Sequence, residues 1–490
     1  MDSQAGEIID RFGGQRQLLQ FSLFVRLADT AMPLEVRAWR YLVPSAWTLL
    51  LIAAILLGGC QGSPTGQALD QELRAAMGES GITPLDPKPS PEPAKVALGQ
   101  ALFFDKELSG NRDVSCATCH HPLFSTADGI SLSIGAGGVG LGPDRTLGGG
   151  QEFIARNATD LFNRGSPEWT TMFWDNRVNG TPEIGFHSPA VGQLPPGLDS
   201  LLAAQALFPV ASDEEMRGEP GDRDVFGNPN ELAVIIEEDL TAIWDGLMGR
   251  LLAFPEYQDL FSAAYPDVPA EQLGIEHAVN AIAAFEIDAW TYLDSPWDLY
   301  VAGDDSTLTD GAKRGALLFY GLAGCAQCHS GNLLTDQETH NVAVPQLGPG
   351  KDDEAPLDIG RARVTNYPGD MFAFRTPPLR NVELTGPWMH NGAYVTLEGA
   401  VRHMLKPQES LLAYDPGQLV PDLETATHDD PKVIDLLLAT LDPLAATPVE
   451  LSDGEFDDLM AFLRALTAPE ARDLQQDIPP SVPSGLAVED

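Results

Sequence analysis

The sequence predicts a mainly α-helical protein built from two similar helical domains with long loops. Three observations lead there. The pattern Cys-x-x-Cys-His occurs twice, as Cys116-Ala-Thr-Cys-His120 and as Cys325-Ala-Gln-Cys-His329. A stretch with helical apolar spacing precedes each copy, Lys95–Phe104 before the first and Thr309–Tyr320 before the second. Alternating runs of strand type are scarce along the whole chain.

Taken in order, the first element is an apolar run of 11 residues, Trp47–Leu57, behind Arg37 and Arg40. It reads as the core of an export signal behind a basic flank, since a membrane span needs about 20 apolar residues. The run ends Leu57-Gly-Gly-Cys60, which resembles the lipobox of bacterial lipoproteins. Small residues before a cysteine suit a cleavage site, so residues 1–59 are expected to be a lipoprotein signal with an N-terminal extension, and Cys60 the lipidated first residue of the mature chain. A start at Met32 gives that signal an ordinary length. The expected location is therefore the bacterial periplasm, lipid-anchored to a membrane.

Residues 60–95 contain Pro64, Pro84, Pro87, Pro89, Pro91 and Pro93 with few aromatic residues, the composition of an extended tether. With 43% hydrophobic residues, the chain has enough apolar side chains to fill two cores. They are placed at 96–300 and 301–470, with an acidic tail at 471–490. The first domain opens with the Lys95–Phe104 helix and closes with a helix at Ile275–Glu286. In the second, Thr309 or Asp310 caps the helix ending at Tyr320. Its closing helix runs over Ser452–Thr467, with Leu459, Phe462, Leu463 and Leu466 on one face and Ser452-Asp-Gly-Glu455 as a capping box. The recurring order of helix, motif and closing helix reads as an internal duplication.

Two thiols at the Cys-x-x-Cys spacing add across the two vinyl groups of one haem, and the His that comes next reaches the iron. A zinc site is the simplest rival, but its cysteine pairs normally stand about 15–20 residues apart. These begin at 116 and 325. A thioredoxin-type pair has no need of His after both copies. Two covalently bound haem c groups are therefore expected, one through Cys116, Cys119 and His120, the other through Cys325, Cys328 and His329. Cys60 is the fifth and last cysteine.

The balance of 29 basic against 71 acidic residues gives a formal net charge of −42. That argues against nucleic acid and anionic surfaces as partners and for self-repulsion in solution. It identifies no substrate.

Over roughly Leu98 to Thr467 the chain resembles the bacterial di-haem cytochrome c peroxidase superfamily, including its methylamine-utilisation branch. The resemblance extends beyond the haem motifs to four segments. The first is Ser133-Ile-Gly-Ala-Gly137, where many family peroxidases have a removable haem-ligating His in place of Ala136. A methyl group cannot ligate iron, so the N-terminal haem is expected to be open to peroxide without reductive activation. The second is Phe173-Trp-Asp-Asn-Arg177, similar to the family's Phe-Trp-Asp-Gly-Arg, whose Trp lies between the haems; here it is Trp174.

The third segment is Gln205-x-x-x-Pro209 with Glu215-Met216, matching the distal pocket. Heterolysis of peroxide requires a proton removed from one oxygen and delivered to the other. The resemblance assigns that to Glu215, a hydrogen bond to the bound oxygen species to Gln205, and the pocket's shape to Pro209. The fourth runs from Phe374 to His390, with Thr396-Leu-Glu-Gly-Ala-Val-Arg-His-Met404 behind it, where a family Met ligates the second haem. Met404 holds that position, with Met389, His403 and Tyr414 as competitors. A thioether ligand opposite His329 raises the potential, so this haem is expected to receive electrons. Family members also hold an interdomain calcium ion, and Asn157, Thr385 and Pro387 fit its ligand positions.

The resemblance thus implies a cytochrome c peroxidase. Electrons from a small cytochrome c or cupredoxin enter at the His329 haem, pass by Trp174 and reduce hydrogen peroxide at the His120 haem. The remaining partners are the membrane, through the lipid, and a second copy of the chain in a homodimer. Two other readings stay open: a methylamine-utilisation-type oxidase of a protein aromatic residue, and a non-catalytic di-haem electron carrier.

Overall fold

The computed structural model describes residues 66–149 and 151–488, so the expected export signal and Cys60 lie outside the described residues. Contacts divide the chain between Arg74 and Ala75. Among the described residues no helix is long and apolar enough to cross a membrane.

The expectation of an extended tether is corrected over its first half. Gly66–Glu79 is a helix, α1, which buries Leu69, Leu73 and Met77. These lie four residues apart, and no proline occurs between Pro64 and Pro84 to interrupt them. From Ile82 to Glu92 the chain is irregular, as closely spaced prolines require. It is nonetheless fastened down: the Thr83 N–H donates to Asn332 Oδ1 at 2.9 Å, and Lys88 Nζ donates to the Asp288 carbonyl.

Each haem motif is framed by a crossed pair of helices, as the duplication predicts. In the first domain α2 (Pro93–Phe104) crosses α3 (Ile275–Trp290), which runs beyond the expected Glu286. A Cβ on Gly99 would lie 1.8 Å from the Ala281 carbonyl oxygen and 2.9 Å from Phe285 Cβ. In the second domain α4 (Asp310–Tyr320) precedes α5 (Leu397–Leu405), and α4 crosses α6 (Asp453–Arg464). A Cβ on Gly315 would lie 1.9 Å from the Asp458 carbonyl oxygen and 2.9 Å from Phe462 Cβ. Only glycine permits backbones to meet this closely. The caps match the sequence reading: Thr309 Oγ1 accepts from the Ala312 N–H at 3.1 Å, and Ser452 and Glu455 exchange the two bonds of a capping box.

Strands are few and short. β1 (Thr171–Met172), β2 (Val178–Thr181) and β3 (Gly185–His187) form an antiparallel sheet with Thr171 opposite Asn179 and Asn179 opposite His187. β4 (Thr339–His340) pairs antiparallel with β5 (Phe374–Arg375). The acidic C-terminal segment is a strap over the first domain. Ala471, Leu474 and Val482 are buried in that domain's core, Trp290 Nε1 donates to Asp477 Oδ2 at 3.1 Å, and Ser484 Oγ donates to Asp105 Oδ1 at 2.7 Å.

Candidate active site

The first motif begins with a helical turn, Cys116–Cys119, whose Ser115 N–H donates to Thr118 Oγ1 at 3.0 Å. His120 comes directly after it, with Nδ1 3.1 Å from the Thr126 carbonyl oxygen. In the second motif His329 Nδ1 is 3.1 Å from the Leu334 carbonyl oxygen. Burial holds both imidazoles below their ordinary range and so neutral. A neutral ring donating from Nδ1 keeps its lone pair on Nε2, the tautomer that ligates iron. The four cysteines of the motifs form no disulfides.

One cavity brings Cys116, Cys119 and His120 together with Trp174, Gln205, Pro209 and Glu215. Two stretches of chain supply these last four side chains, the second through three successive short helical turns. Trp174 comes from the turn between β1 and β2, and Gln205 from the short helix Leu201–Ala206, which Ser200 caps. Pro209 opens a 3₁₀ turn. Glu215 lies on a π-helical turn, Asp213–Arg217, whose Ser212 Oγ accepts from the Glu215 N–H at 3.4 Å. π turns concentrate at functional sites because they re-aim a side chain. Phe103, Val114, Leu161, Met172, Leu202 and Ile282 make the rest of the lining largely apolar, as a flat macrocycle requires.

The Ala136 loop packs directly behind Glu215. A Cβ on Gly135 would lie 1.9 Å from the Glu214 carbonyl oxygen and 2.9 Å from Glu215 Cα. Buried Arg145 donates from Nε to the Ile134 carbonyl and from Nη2 to the Gly135 carbonyl, each at 2.8 Å. The Gly137 N–H donates to Asp113 Oδ2, also at 2.8 Å. Buried Ala136 therefore sits in a loop fixed against the Glu215 turn, and is not itself among the residues that line the cavity.

Trp174 lies where the two domains meet. Its Nε1 donates to the Asn157 carbonyl at 3.0 Å, and its own carbonyl accepts from the Arg375 N–H at 2.7 Å. The ring is edge-on to His390 at 6.5 Å, and His390 stacks on Phe374 at 3.5 Å. Arg156 ties the seam, bonding Asp175 in the first domain and Asp358 in the second, each at 2.6 Å. Burial opposes ionisation of Asp175, yet Arg177 and Arg156 hold its carboxyl well below the usual range.

At the second motif the competing ligands have other partners. His403 is fully buried, with Nδ1 2.8 Å from the Tyr394 hydroxyl and Nε2 2.8 Å from the Val342 carbonyl oxygen. Tyr414 donates its hydroxyl to the Ala393 carbonyl at 2.6 Å, and burial raises its pKa. Met389 packs, partly buried, against the hydrophobic cluster that includes Tyr394 and Leu423. Met404, near the end of α5, is 36% exposed, so it is not core filler. Asn157 donates its amide N–H to the Ile130 carbonyl at 2.8 Å, and its backbone N–H bonds the His390 carbonyl. Thr385 Oγ1 bonds the Val382 carbonyl, with Pro387 two residues on. These contacts do not link Asn157 with Thr385 or Pro387, and the calcium assignment rests on the resemblance alone.

Sequence reasoning missed several groups. Glu286 lines the cavity from α3, and burial pushes it up to about 8 despite the opposing charge of Arg164. The signal was present: Val279, Ile282 and Ala283 share its helix face and are buried, so a carboxyl falls where an apolar residue belongs. Arg164, Lys351 and Arg375 also line the cavity, the last two from the second domain. His340, given no role from sequence, lies 3.0 Å from Asp336 Oδ2 and 2.7 Å from Asp442 Oδ2, and hydrogen bonding, first to Asp336, pushes it up to about 11.

The cavity fits a covalent haem. Both cysteines and the correctly tautomerised His120 share it, and two buried polar atoms in its wall, Arg164 Nη1 and Glu286 Oε2, have no hydrogen-bond partner among the described residues.

Comparison with known proteins agrees with this geometry. The family model described as di-haem cytochrome c peroxidase matches residues 93–306. The methylamine utilization protein MauG of Methylorubrum extorquens is 30% identical over 435 residues, covering 87% of this chain and 95% of its own. The cytochrome c551 peroxidase of Pseudomonas aeruginosa is 30% identical over 358 residues, covering 72% and 84%. Among solved structures, a MauG-like protein associated with microbial copper homeostasis is 26% identical, with TM-score 0.53 over 80% of this chain and 94% of that one. The diheme peroxidase BthA from Burkholderia thailandensis shares the fold at TM-score 0.51 and 21% identity, over 82% of this chain and 91% of its own. The chain belongs to the di-haem cytochrome c peroxidase family of oxidoreductases, which includes MauG and the cytochrome c peroxidases and whose members carry two haem groups.

Proposed function

We propose that the protein reduces hydrogen peroxide to two waters, using two protons and two electrons delivered one at a time by a small cytochrome c or cupredoxin. The observation that carries this reading is the convergence of Gln205, Pro209 and Glu215 on the cavity of His120, with the Ala136 loop packed behind Glu215. When bound, the two haems supply the redox chemistry. Glu215 takes the proton from the near oxygen of peroxide and returns it to the far one as the O–O bond breaks. Gln205 orients the oxygen species by hydrogen bonding, and Pro209 narrows the approach. Met404 and His329 would hold the second iron, and a thioether ligand there would favour its reduction. Trp174, between the domains, provides the path from one site to the other.

The test is peroxide consumption with a reduced small cytochrome c, using protein isolated in the oxidised state. Two donors oxidised per peroxide, without prior reduction, is the expected result. A protein that consumes peroxide only while oxidising aromatic residues of a partner would instead be a MauG-type oxidase. The equal identity to MauG over a larger share of the chain supports keeping that second reading.

A lipid anchor on Cys60 and a periplasmic location complete the proposal. Mass spectrometry of the membrane-extracted protein tests both through an acylated N-terminal Cys60. Asn157, Thr385 and Pro387 are proposed calcium ligands, and the oligomer a homodimer; calcium removal monitored by sedimentation checks the two together.

A further inference from the structure

We propose that Arg164 and Arg375, one from each domain, form a clamp for the propionate carboxylates of the haem attached at Cys116 and Cys119. This inference rests on the haem reading of the first motif, not on the identity of the substrate.

The cavity inverts the charge of the chain. In a protein with 29 basic and 71 acidic residues, its lining contains Arg156, Arg164, Arg177, Lys351 and Arg375 against Glu215 and Glu286. Four of these cations face a carboxylate, and three of them leave no buried donor over. Arg156 pairs with Asp175 and Asp358, Arg177 with Asp175 at 3.2 Å, and Lys351 with Glu214 at 3.5 Å.

Arg164 and Arg375 are different. Arg164 donates from Nε to the Asp160 carbonyl at 3.0 Å and pairs through Nη2 with Asp160 Oδ2 at 3.2 Å, but its buried Nη1 has no partner among the described residues. Arg375 is 2% exposed and donates only to carbonyls, from Nε to Phe173 at 3.0 Å and from Nη1 to Thr376 at 3.5 Å. No carboxylate lies within ion-pair distance of it among the described residues. Both guanidiniums lie over the Trp169 ring, 4.7 and 5.1 Å from its centre, so the two cations are neighbours. Burial, then repulsion from Arg164, lowers Arg375 to about 9. An unpaired buried charge is strongly unfavourable, and cation–π contact offsets only part of that.

The missing partner is therefore an anion inside the cavity, and the planar fork of arginine suits a carboxylate. The haem brings two carboxylates to this cavity. Arg375 also holds the carbonyls of Phe173 and Trp174 through its side chain and backbone. The clamp thus joins the haem's acidic edge to the segment that carries Trp174.

The experiment is a redox titration of both haems, monitored by visible spectra, in Arg164→Gln, Arg375→Gln and Arg375→Lys. Losing a cation beside the propionates disfavours the reduced haem. The midpoint potential of the N-terminal haem should fall in both Gln variants, that of the C-terminal haem should stay, and Arg375→Lys should recover most of the fall. Pyridine haemochrome spectra should still show two covalent haems per chain. An unmoved N-terminal potential with both haems attached overturns the clamp, as does Arg375→Lys behaving like Arg375→Gln. So does a wild-type potential that shifts on adding acetate, which would reveal a free anion in the clamp. If Arg375→Gln does not accumulate, Arg164→Gln alone decides. Fewer than two haems on the wild-type chain would instead overturn the haem reading beneath the proposal.

Discussion

The two halves share a frame and differ in what they put inside it. In each, a glycine lets the helix before the motif touch the closing helix, Gly99 on Ala281 and Gly315 on Asp458. In each, the motif His is neutral and turns Nδ1 to a backbone carbonyl, Thr126 or Leu334. Beyond that the likeness ends. His120 shares a cavity with the Glu215 carboxyl, the Gln205 amide and the guanidiniums of Arg164 and Arg375, and the loop packed behind Glu215 carries the methyl of Ala136. Downstream of His329 a helix offers Met404 while His403 is committed to Tyr394 and Val342. The halves differ in their loops and are alike in their helix pairs.

The largest expected effect erases that difference. Ala136→His should convert the N-terminal haem of the oxidised enzyme from high to low spin and make turnover wait for pre-reduction. Unchanged electron paramagnetic resonance and optical spectra would mean that position 136 does not face the iron.

Removing the acid/base group should be the next most severe change. Glu215→Gln is expected to slow peroxide turnover by about 10²-fold or more with two haems still attached. A variant within about threefold of wild type would move the proton-transfer role elsewhere.

Met404→Ala sharpens the comparison from the other side. The C-terminal haem should lose its thioether ligand and its potential should fall, with the N-terminal potential unaffected. If the C-terminal haem titrates as before, another ligand is bound.

The shared frame is tested by Gly99→Ala and Gly315→Ala. Each added methyl meets a backbone carbonyl, so each should cost about 1–3 kcal/mol in urea unfolding, with spectra of the remaining folded protein intact. Widely unequal costs would break the parallel between the halves.

Helix pairs, caps and haem motifs were legible in the sequence because each depends on residues close along the chain. Thr309 and Ser452 bond amides three residues on, and a Cys-x-x-Cys-His turn is complete within five positions. The missed features obey longer rules. The α1 helix was hidden by averaging over a proline-rich window whose prolines fall outside it. The strap at 471–488 looked like a tail because acidic composition outweighed Leu474 and Val482, which only the first domain's core explains.

By itself the sequence determined that this chain has two halves, each with an entry helix, a Cys-x-x-Cys-His motif and a closing helix. Family resemblance added which side chains to watch. Only the tertiary structure decided that Trp174 and the stretch carrying Gln205, Pro209 and Glu215 meet at His120. It alone showed that His403 and Tyr414 are already engaged, and that Arg164 and Arg375 lie buried side by side. The physical reason is that unpaired charge and competing hydrogen bonds are properties of surroundings, and the surroundings here come from both halves at once.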